Sequence, residues 1–343
     1  MSDKALNVIQ IAKLARTSKS TVSRVLRNEP DVSPKTRARV RRLIQKYDYH
    51  PSLFGRGLTG ASSGLIGVLG RWMESGFAAE VLRGIVAEVE RRCGHLLCSF
   101  APNIDDYVGM WRKFASGGQV DGAILIAPAS EMFAHPVKPG DRPVVLCACK
   151  PPDGRKGWGN VGSVTADNQT AMNDVVKHLV ERGYRRLVHL SGPPDILDAQ
   201  ERRHFFMRCA AGHRGVKASV VQGAWTRELA YTITLEYINT HGGPPDAFVA
   251  FNDSVALGVL EALEARGVVV PDQVAVTGWD DILFASYTGL TTIHLPMIRM
   301  GEEAARLLYE QLDDKRRKIG RQAVLKMPLK IRRTSAGLRK RTA

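Results

Sequence analysis

The sequence predicts an α/β protein with an N-terminal all-α helix-turn-helix and a body of two doubly wound α/β subdomains. Three observations carry this. Residues 7–47 contain three short stretches whose apolar residues recur at helical spacing. From Gly64 onward, short apolar runs alternate with amphipathic helical patterns, the signature of parallel sheets covered by helices. The charge is also segregated. The chain carries 49 Lys+Arg against 34 Asp+Glu, a formal +15, but residues 1–60 hold 13 basic and 4 acidic side chains and residues 315–343 hold 12 basic and none acidic. Residues 61–314 are net −6. Two basic ends on a mildly acidic body imply a polyanion-binding end attached to an ordinary globular protein.

In the first sixty residues, Val8, Ile11, Ala12 and Ala15 line one face of a helix that Asn7 is placed to cap. Ser18 caps a second helix with Val22, Val25 and Leu26 facing inward and Lys19, Ser20, Ser23, Arg24 and Arg27 on the opposite face. A third opens at Ser33-Pro34, an N-cap followed by proline at N1, and runs to about Tyr47 with Val40, Leu43 and Ile44 inward. A polar, basic second helix on a small three-helix core suits a DNA major groove, which admits one helix and offers base edges to its N-terminal side chains. Lys19 and Arg24 can donate to guanine, and Ser20 lets the helix sit close. Thr21, Ser23 and Arg27 suit phosphates. The competing reading is a solvated basic face on a generic three-helix module.

In the body, strand-like runs fall at 65–69, 96–99, 123–126, 144–147, 187–190, 218–221, 247–251 and 274–277, with helical patterns at 80–92, 107–116, 168–182, 202–211, 229–240 and 254–266. Eight runs are many for one sheet, which favours two similar halves. A ligand is then expected at the carboxyl ends of the strands.

Composition and motifs exclude other classes. At 44% apolar the chain can bury large cores. No run of 18 apolar residues exists, so no membrane span is expected, and the N-terminus lacks a signal-peptide pattern. Five cysteines without a C-x-x-C pair fit free thiols in a reducing cytoplasm, and no metal site is expected. Phosphate-binding glycine loops, H-E-x-x-H and G-x-S-x-G are all absent, so catalysis and a bound cofactor are not expected.

The stretches TVSRVLRNEPDVSPKTRARV and YHPSLFGRGL resemble the N-terminal signature of the LacI/GalR family of bacterial transcription regulators, closely over about 60 positions and more loosely to about residue 336. The resemblance implies that Lys19, Ser20 and Arg24 read bases. It also implies that Ser52–Leu58 forms a hinge helix on DNA, with Leu58 wedged into the minor groove and Arg56 beside it. The body would be periplasmic-binding-protein-like, with three chain crossings between its subdomains and an effector in the cleft. Domains are accordingly expected at 1–51 (DNA binding), 52–62 (hinge), 63–336 (effector binding and dimerisation) and 337–343 (basic tail). The implied partners are near-palindromic operator DNA, a second copy of the chain and a small effector such as a sugar, sugar acid or sugar phosphate. The chain departs from the pattern at Arg16-Thr17 in the turn, at Gly55 and Gly57 in the hinge, and at Ala171 and Phe205, which suggest a reshaped pocket.

Candidate effector residues lie at strand ends. Asp167, Asn252 and Asp280 match pocket positions of the family, as does Arg202, whose match reaches into the pocket. Asp and Asn at such places also serve as helix N-caps. Asp280 stands beside Trp279, a carboxylate and an aromatic suited to a sugar's hydroxyls and apolar face. Arg71, Trp72 and Phe77 follow the first body strand, and Arg71 together with Arg202 would favour an anionic ligand. A transporter's solute-binding protein would share the body, but it predicts a signal peptide and no basic N-terminal module. A sugar-metabolising enzyme needs catalytic groups that are not found.

Overall fold

The computed structural model describes residues 6–26, 29–49, 63–71, 76–116, 118–138, 140–151, 154, 156–158, 161–313 and 320–337. The chain divides into two compact units, Met1–Ser63 and Gly64–Ala343. The expected hinge, 52–62, lies outside the described residues.

The first unit is three helices: α1 (Val8–Leu14), α2 (Lys19–Leu26) and α3 (Pro34–Lys46). Asn7 caps α1 in a capping box closed by Gln10, Ser18 Oγ accepts from Thr21 N, and Ser33 caps α3 ahead of Pro34. The predicted apolar faces meet in one core of Ile11, Ala12, Ala15, Val22, Val25, Val32, Val40 and Tyr49. Leu26, Leu43 and Ile44 pack on it part-exposed.

The second unit contains two six-stranded sheets. The first lobe holds β1 (Leu65–Gly70), α4 (Gly76–Arg91), β2 (His95–Phe100), α5 (Ile104–Ser116), β3 (Gly122–Ile126), β4 (Val144–Cys147) and β5 (Gly162–Ala166). The second holds α6 (Asn168–Glu181), β6 (Arg186–Leu190), α7 (Leu197–Ala211), β7 (Lys217–Val221), α8 (Arg227–Thr240), β8 (Ala247–Ala250), α9 (Asp253–Ala265), β9 (Ala275–Asp280), α10 (Leu283–Thr288) and β10 (Thr291–His294). The chain then returns through α11 (Met297–Asp313) and β11 (Gln322–Leu325) to the first lobe, and ends in the second with β12 (Leu329–Lys330) and α12 (Arg333–Ala336). Three crossings join the lobes, after β5, β10 and β11, as the resemblance implied. The sheet orders are β11-β5-β4-β3-β1-β2, parallel throughout, and β12-β10-β9-β8-β6-β7, with only the edge strand β12 antiparallel.

All eight apolar runs form strands, but they miss β5, β10, β11 and β12, and the helical patterns miss α10, α12 and α11, the last of which is strongly amphipathic and packs along α4. That contact is close because two glycines face it. A Cβ on Gly84 would stand 1.9 Å from the Ile298 carbonyl oxygen, and one on Gly301 2.0 Å from that of Val81. The end of the chain is held by buried hydroxyls. Thr334 Oγ1 accepts from Thr291 N at 2.9 Å and donates to the Val276 carbonyl at 2.7 Å, and Ser335 Oγ bonds Thr291 Oγ1 and His178 Nε2. No described helix is long and apolar enough to cross a membrane.

Candidate functional sites

In the first unit, Lys19, Ser20 and Arg24 are exposed on α2, while Thr21 and Ser23 are partly covered. Arg27 lies outside the described residues, as do Arg56 and Leu58. Ser18 Oγ bonds both Ser20 Oγ (2.7 Å) and Thr21 Oγ1 (2.8 Å), fixing the rotamers at the start of the helix. Arg24 is engaged rather than free, with Nη1 2.9 Å from Asp31 and Nε 3.7 Å from Glu29. It is half-exposed, so these pairs contribute little and a guanine or phosphate can replace them. Arg16 in the turn has φ of 48°, so a non-glycine residue does occupy a left-handed position there.

In the second unit, β8 and β9 deliver Phe251, Asn252 and Asp280 at their carboxyl ends to a cavity of about 260 Å³. Phe77 at the start of α4, with Ala127 and Ala148 beyond β3 and β4, lines it from the other lobe. On α7, Asp198 and Arg202 are four residues apart and share a face, their charges 3.4 Å apart. Arg202 is buried and fully employed. Its Nε donates to Asn168 Oδ1, Nη1 to the Phe251 carbonyl and Nη2 to Asp198, and its guanidinium lies 4.9 Å from the Phe251 ring centroid and 4.5 Å from that of Trp279. Trp225, just before α8, completes the aromatic wall against Phe251, ring centroids 5.7 Å apart.

Asp280 is the odd member. Its carboxylate lines the cavity but accepts no hydrogen bond from any described residue. Burial pushes its pKa up to about 7, Arg202 opposes the rise and Asp198 adds to it. Its backbone has φ of 109°, a region that L residues rarely adopt. Asp198 is likewise raised, by burial first, against the pull of Arg202. Asn252 caps α9 through Oδ1, accepting from Val255 N at 2.8 Å, and presents its amide to the cavity.

The fold thus brings Arg202, Asp280, Asn252 and Phe77 together. The other predicted residues go elsewhere, and four expectations need correcting. Trp279 is fully buried behind Arg202, so the aromatic surface open to a ligand is that of Trp225 and Phe251, not its own. Asp167 is spent as the N-cap of α6, bonding Thr170 N and Oγ1 outside the cavity lining. Arg71 reaches across the lobes to Asp195, Nη1 to Oδ2 at 2.5 Å, so the arginine pair expected to receive an anion is neutralised by Asp195 and Asp198. Phe205 and Ala171 pack on the core and do not line the cavity. Trp72 lies outside the described residues. The reading missed Trp225, Phe251 and Asp198. Asp198 had a usable signal in its four-residue spacing from Arg202, whereas Trp225 sits in a loop without periodicity. No cluster of His, Cys, Asp or Glu suited to a metal ion occurs among the described residues.

Comparison with known proteins finds matches to both units. Residues 8–52 match the model of bacterial regulatory proteins of the lacI family, and residues 176–335 that of the periplasmic binding protein-like domain. Catabolite control protein A of Priestia megaterium is 27% identical over 314 residues, 90% of this chain and 93% of that protein. The transcriptional regulator AscG of Escherichia coli K12 is 28% identical over 316 residues, 89% of this chain and 92% of its own. Among solved structures, the lac repressor dimer bound to operator and the anti-inducer ONPF aligns with a TM-score of 0.82 at 22% identity, covering 97% of this chain and 99% of that one. A CelR–cellobiose complex aligns at 0.70 and 24%, covering 96% and 99%. A lacI-type helix-turn-helix on a periplasmic-binding-protein-like body defines a ligand-regulated, DNA-binding transcription regulator. Residues 8–52 thus carry the DNA-binding segment of the lacI family of bacterial regulatory proteins, and relatives that match over 89–90% of the chain include transcriptional regulators.

Proposed function

We propose that the protein is a homodimeric repressor whose affinity for a near-palindromic operator is set by a compact, polyhydroxylated ligand held in the cavity between its lobes. The observation that carries this reading is Asp280 and Asn252 at the strand ends, with Arg202 of α7, beside the Trp225–Phe251 wall. Carboxylate and amide meet hydroxyls, and the rings meet the apolar face of a sugar. A structural neighbour holds the disaccharide cellobiose, which supports a polyhydroxylated ligand in such a site though not one of that size. A cavity of about 260 Å³ lies just below the range, roughly 300–1,000 Å³, typical of ligand pockets, which favours a monosaccharide-sized ligand. Differential affinity for open and closed lobes would couple ligand to DNA. On this reading the protein acts in the cytoplasm and catalyses nothing.

On the DNA side, Lys19, Ser20 and Arg24 read bases, Thr21, Ser23 and Arg27 hold phosphates, and Leu58 with Arg56 enters the minor groove. On this reading the chain divides into a DNA-binding domain at 1–51, a hinge at 52–62, an effector-binding and dimerisation domain at 63–336 and a basic tail at 337–343. The test is selection of bound DNA from a random pool, repeated with a panel of sugars, sugar acids and sugar phosphates. The expected result is a palindromic consensus whose recovery one panel member changes. Lys19→Ala and Arg24→Ala should each relax base preference by roughly 1–3 kcal/mol. Wild-type discrimination in both variants at matched salt would refute the recognition-helix assignment.

A further inference from the structure

The charges around the cavity say more about the ligand than its size does, on the reading that this cavity is the effector site. Its lining holds three carboxylates, on Asp198, Glu228 and Asp280, and two guanidiniums, on Arg202 and Arg227. Arg202 is committed, bonded to Asn168, Asp198 and the Phe251 carbonyl, whereas half-exposed Arg227 is shared between Glu228 at 3.3 Å and Glu261 at 3.8 Å, so the lining stays net acidic. Arg71, the other cation near the cleft, sits on Asp195. A ligand carboxylate or phosphate would add charge to a lining that already holds more carboxylates than guanidiniums and would face Asp280 across a small space.

Asp280 sets the opposite preference. When ionised it is a pure acceptor, it has no hydrogen-bonded partner among the described residues, and the cation that pulls on it, Arg202, already serves Asp198. A neutral hydroxyl would give it one hydrogen bond and leave its charge uncompensated in a desolvated place. The wall beside the carboxylates is aromatic, built from Trp225, Phe251 and Phe77, and ring faces attract cations as well as apolar sugar surfaces. Two independent features, an unpartnered carboxylate and an aromatic wall, therefore favour the same group.

We infer that the effector is a compact polyol carrying a protonated amino group, an amino sugar or aminocyclitol. Its ammonium sits on Asp280 against the aromatic wall, and its hydroxyls meet the Asn252 amide and Asp198. This reverses the anionic preference that Arg71 and Arg202 suggest in the sequence.

The test is isothermal titration at neutral pH with matched sets. The probes are D-glucosamine, D-glucose and D-glucuronate, the galactose and mannose counterparts, and 2-deoxystreptamine against myo-inositol. The expected result is that an amine binds at least ten-fold more tightly than its neutral counterpart, that the acid of that set gives no heat, and that Asp280→Asn abolishes the preference. A neutral or acidic member binding as tightly as the amine would overturn the inference, as would silence from every probe. The cavity itself is judged separately with Trp225→Ala. Neutral-sugar binding that this variant abolishes would keep the effector site while removing the amine. Binding untouched by both variants would remove the cavity from its role. Both variants are first checked for unchanged binding to the selected DNA, so that misfolding is not read as lost recognition.

Discussion

An unpartnered Asp280 should make the ligand-free protein less stable than it need be, and Asp280→Asn should recover the difference. The carboxyl ionises at about 7 in the fold against 3.8 in a model compound. At about 1.4 kcal/mol per unit, the ionised group costs at most about 4 kcal/mol above pH 7. Part of the side chain keeps contact with solvent, which brings the expected gain to about 2 kcal/mol. Asparagine tolerates positive φ as well as aspartate does, so the strained backbone at 109° adds no new cost. The sign follows from the raised pKa. Below about pH 4 the carboxyl is protonated in both folded and unfolded chains, and the variant gains nothing. As pH rises from 4 to 7 only the unfolded chain ionises freely, so the advantage grows, and above 7 it is constant. Buried Asp253, whose own pKa is raised by burial and then by Asp280, is relieved in the same direction. Thermal unfolding of ligand-free protein should show the variant about 4 °C higher in Tm at pH 8 and level with wild type near pH 4. A variant less stable than wild type at pH 8, or a gain independent of pH, would refute the claim that this charge is uncompensated.

Three further perturbations test the frame around the cavity. Gly84→Ala drives a methyl into the Ile298 carbonyl and should cost more than about 3 kcal/mol in urea unfolding; a loss under 1 kcal/mol would mean that α4 and α11 part easily. Thr334→Val leaves Thr291 N and the Val276 carbonyl without their buried partner and should cost about 2–3 kcal/mol, so an unchanged urea midpoint would show that the end of the chain is not anchored there. Asp195→Asn removes the carboxylate from Arg71 at the contact between lobes, where Asp195 also accepts Ser130 N through its backbone. The expected loss is about 2 kcal/mol of ligand-free stability with a faster ligand on-rate, and an on-rate equal to wild type would show that this contact does not hold the cleft shut.

Periodicity made the fold readable wherever burial is one-sided or complete. The three helices of the first unit and the eight apolar runs of the body each carry their own signal, because a buried strand must be apolar along its length. Strand β10, Thr291–His294, carries a weaker one. Its threonines are fully buried, but as hydrogen-bonding groups that serve Asp253, Arg332 and α12, which the alternation rule does not count as core. The site was half legible for a related reason. Strand ends pointed to Asn252 and Asp280, since that is where this topology leaves side chains facing a cleft. Which residues the protein itself would consume was only partly legible, because Asp198 meets Arg202 across one helical turn, a spacing the sequence shows, whereas Asp195 meets Arg71 across 124 residues. A count of charged residues therefore suggested a cationic pocket, and pairing turned it into an acidic one. The same distinction applies to Arg24, whose partners Asp31 and Glu29 lie only a few residues downstream. In both units the chemistry offered to a ligand is what remains after internal pairs are formed, so Asp280, the one named pocket residue left without a hydrogen-bonded partner among those described, is where a substitution should say most about what this protein binds.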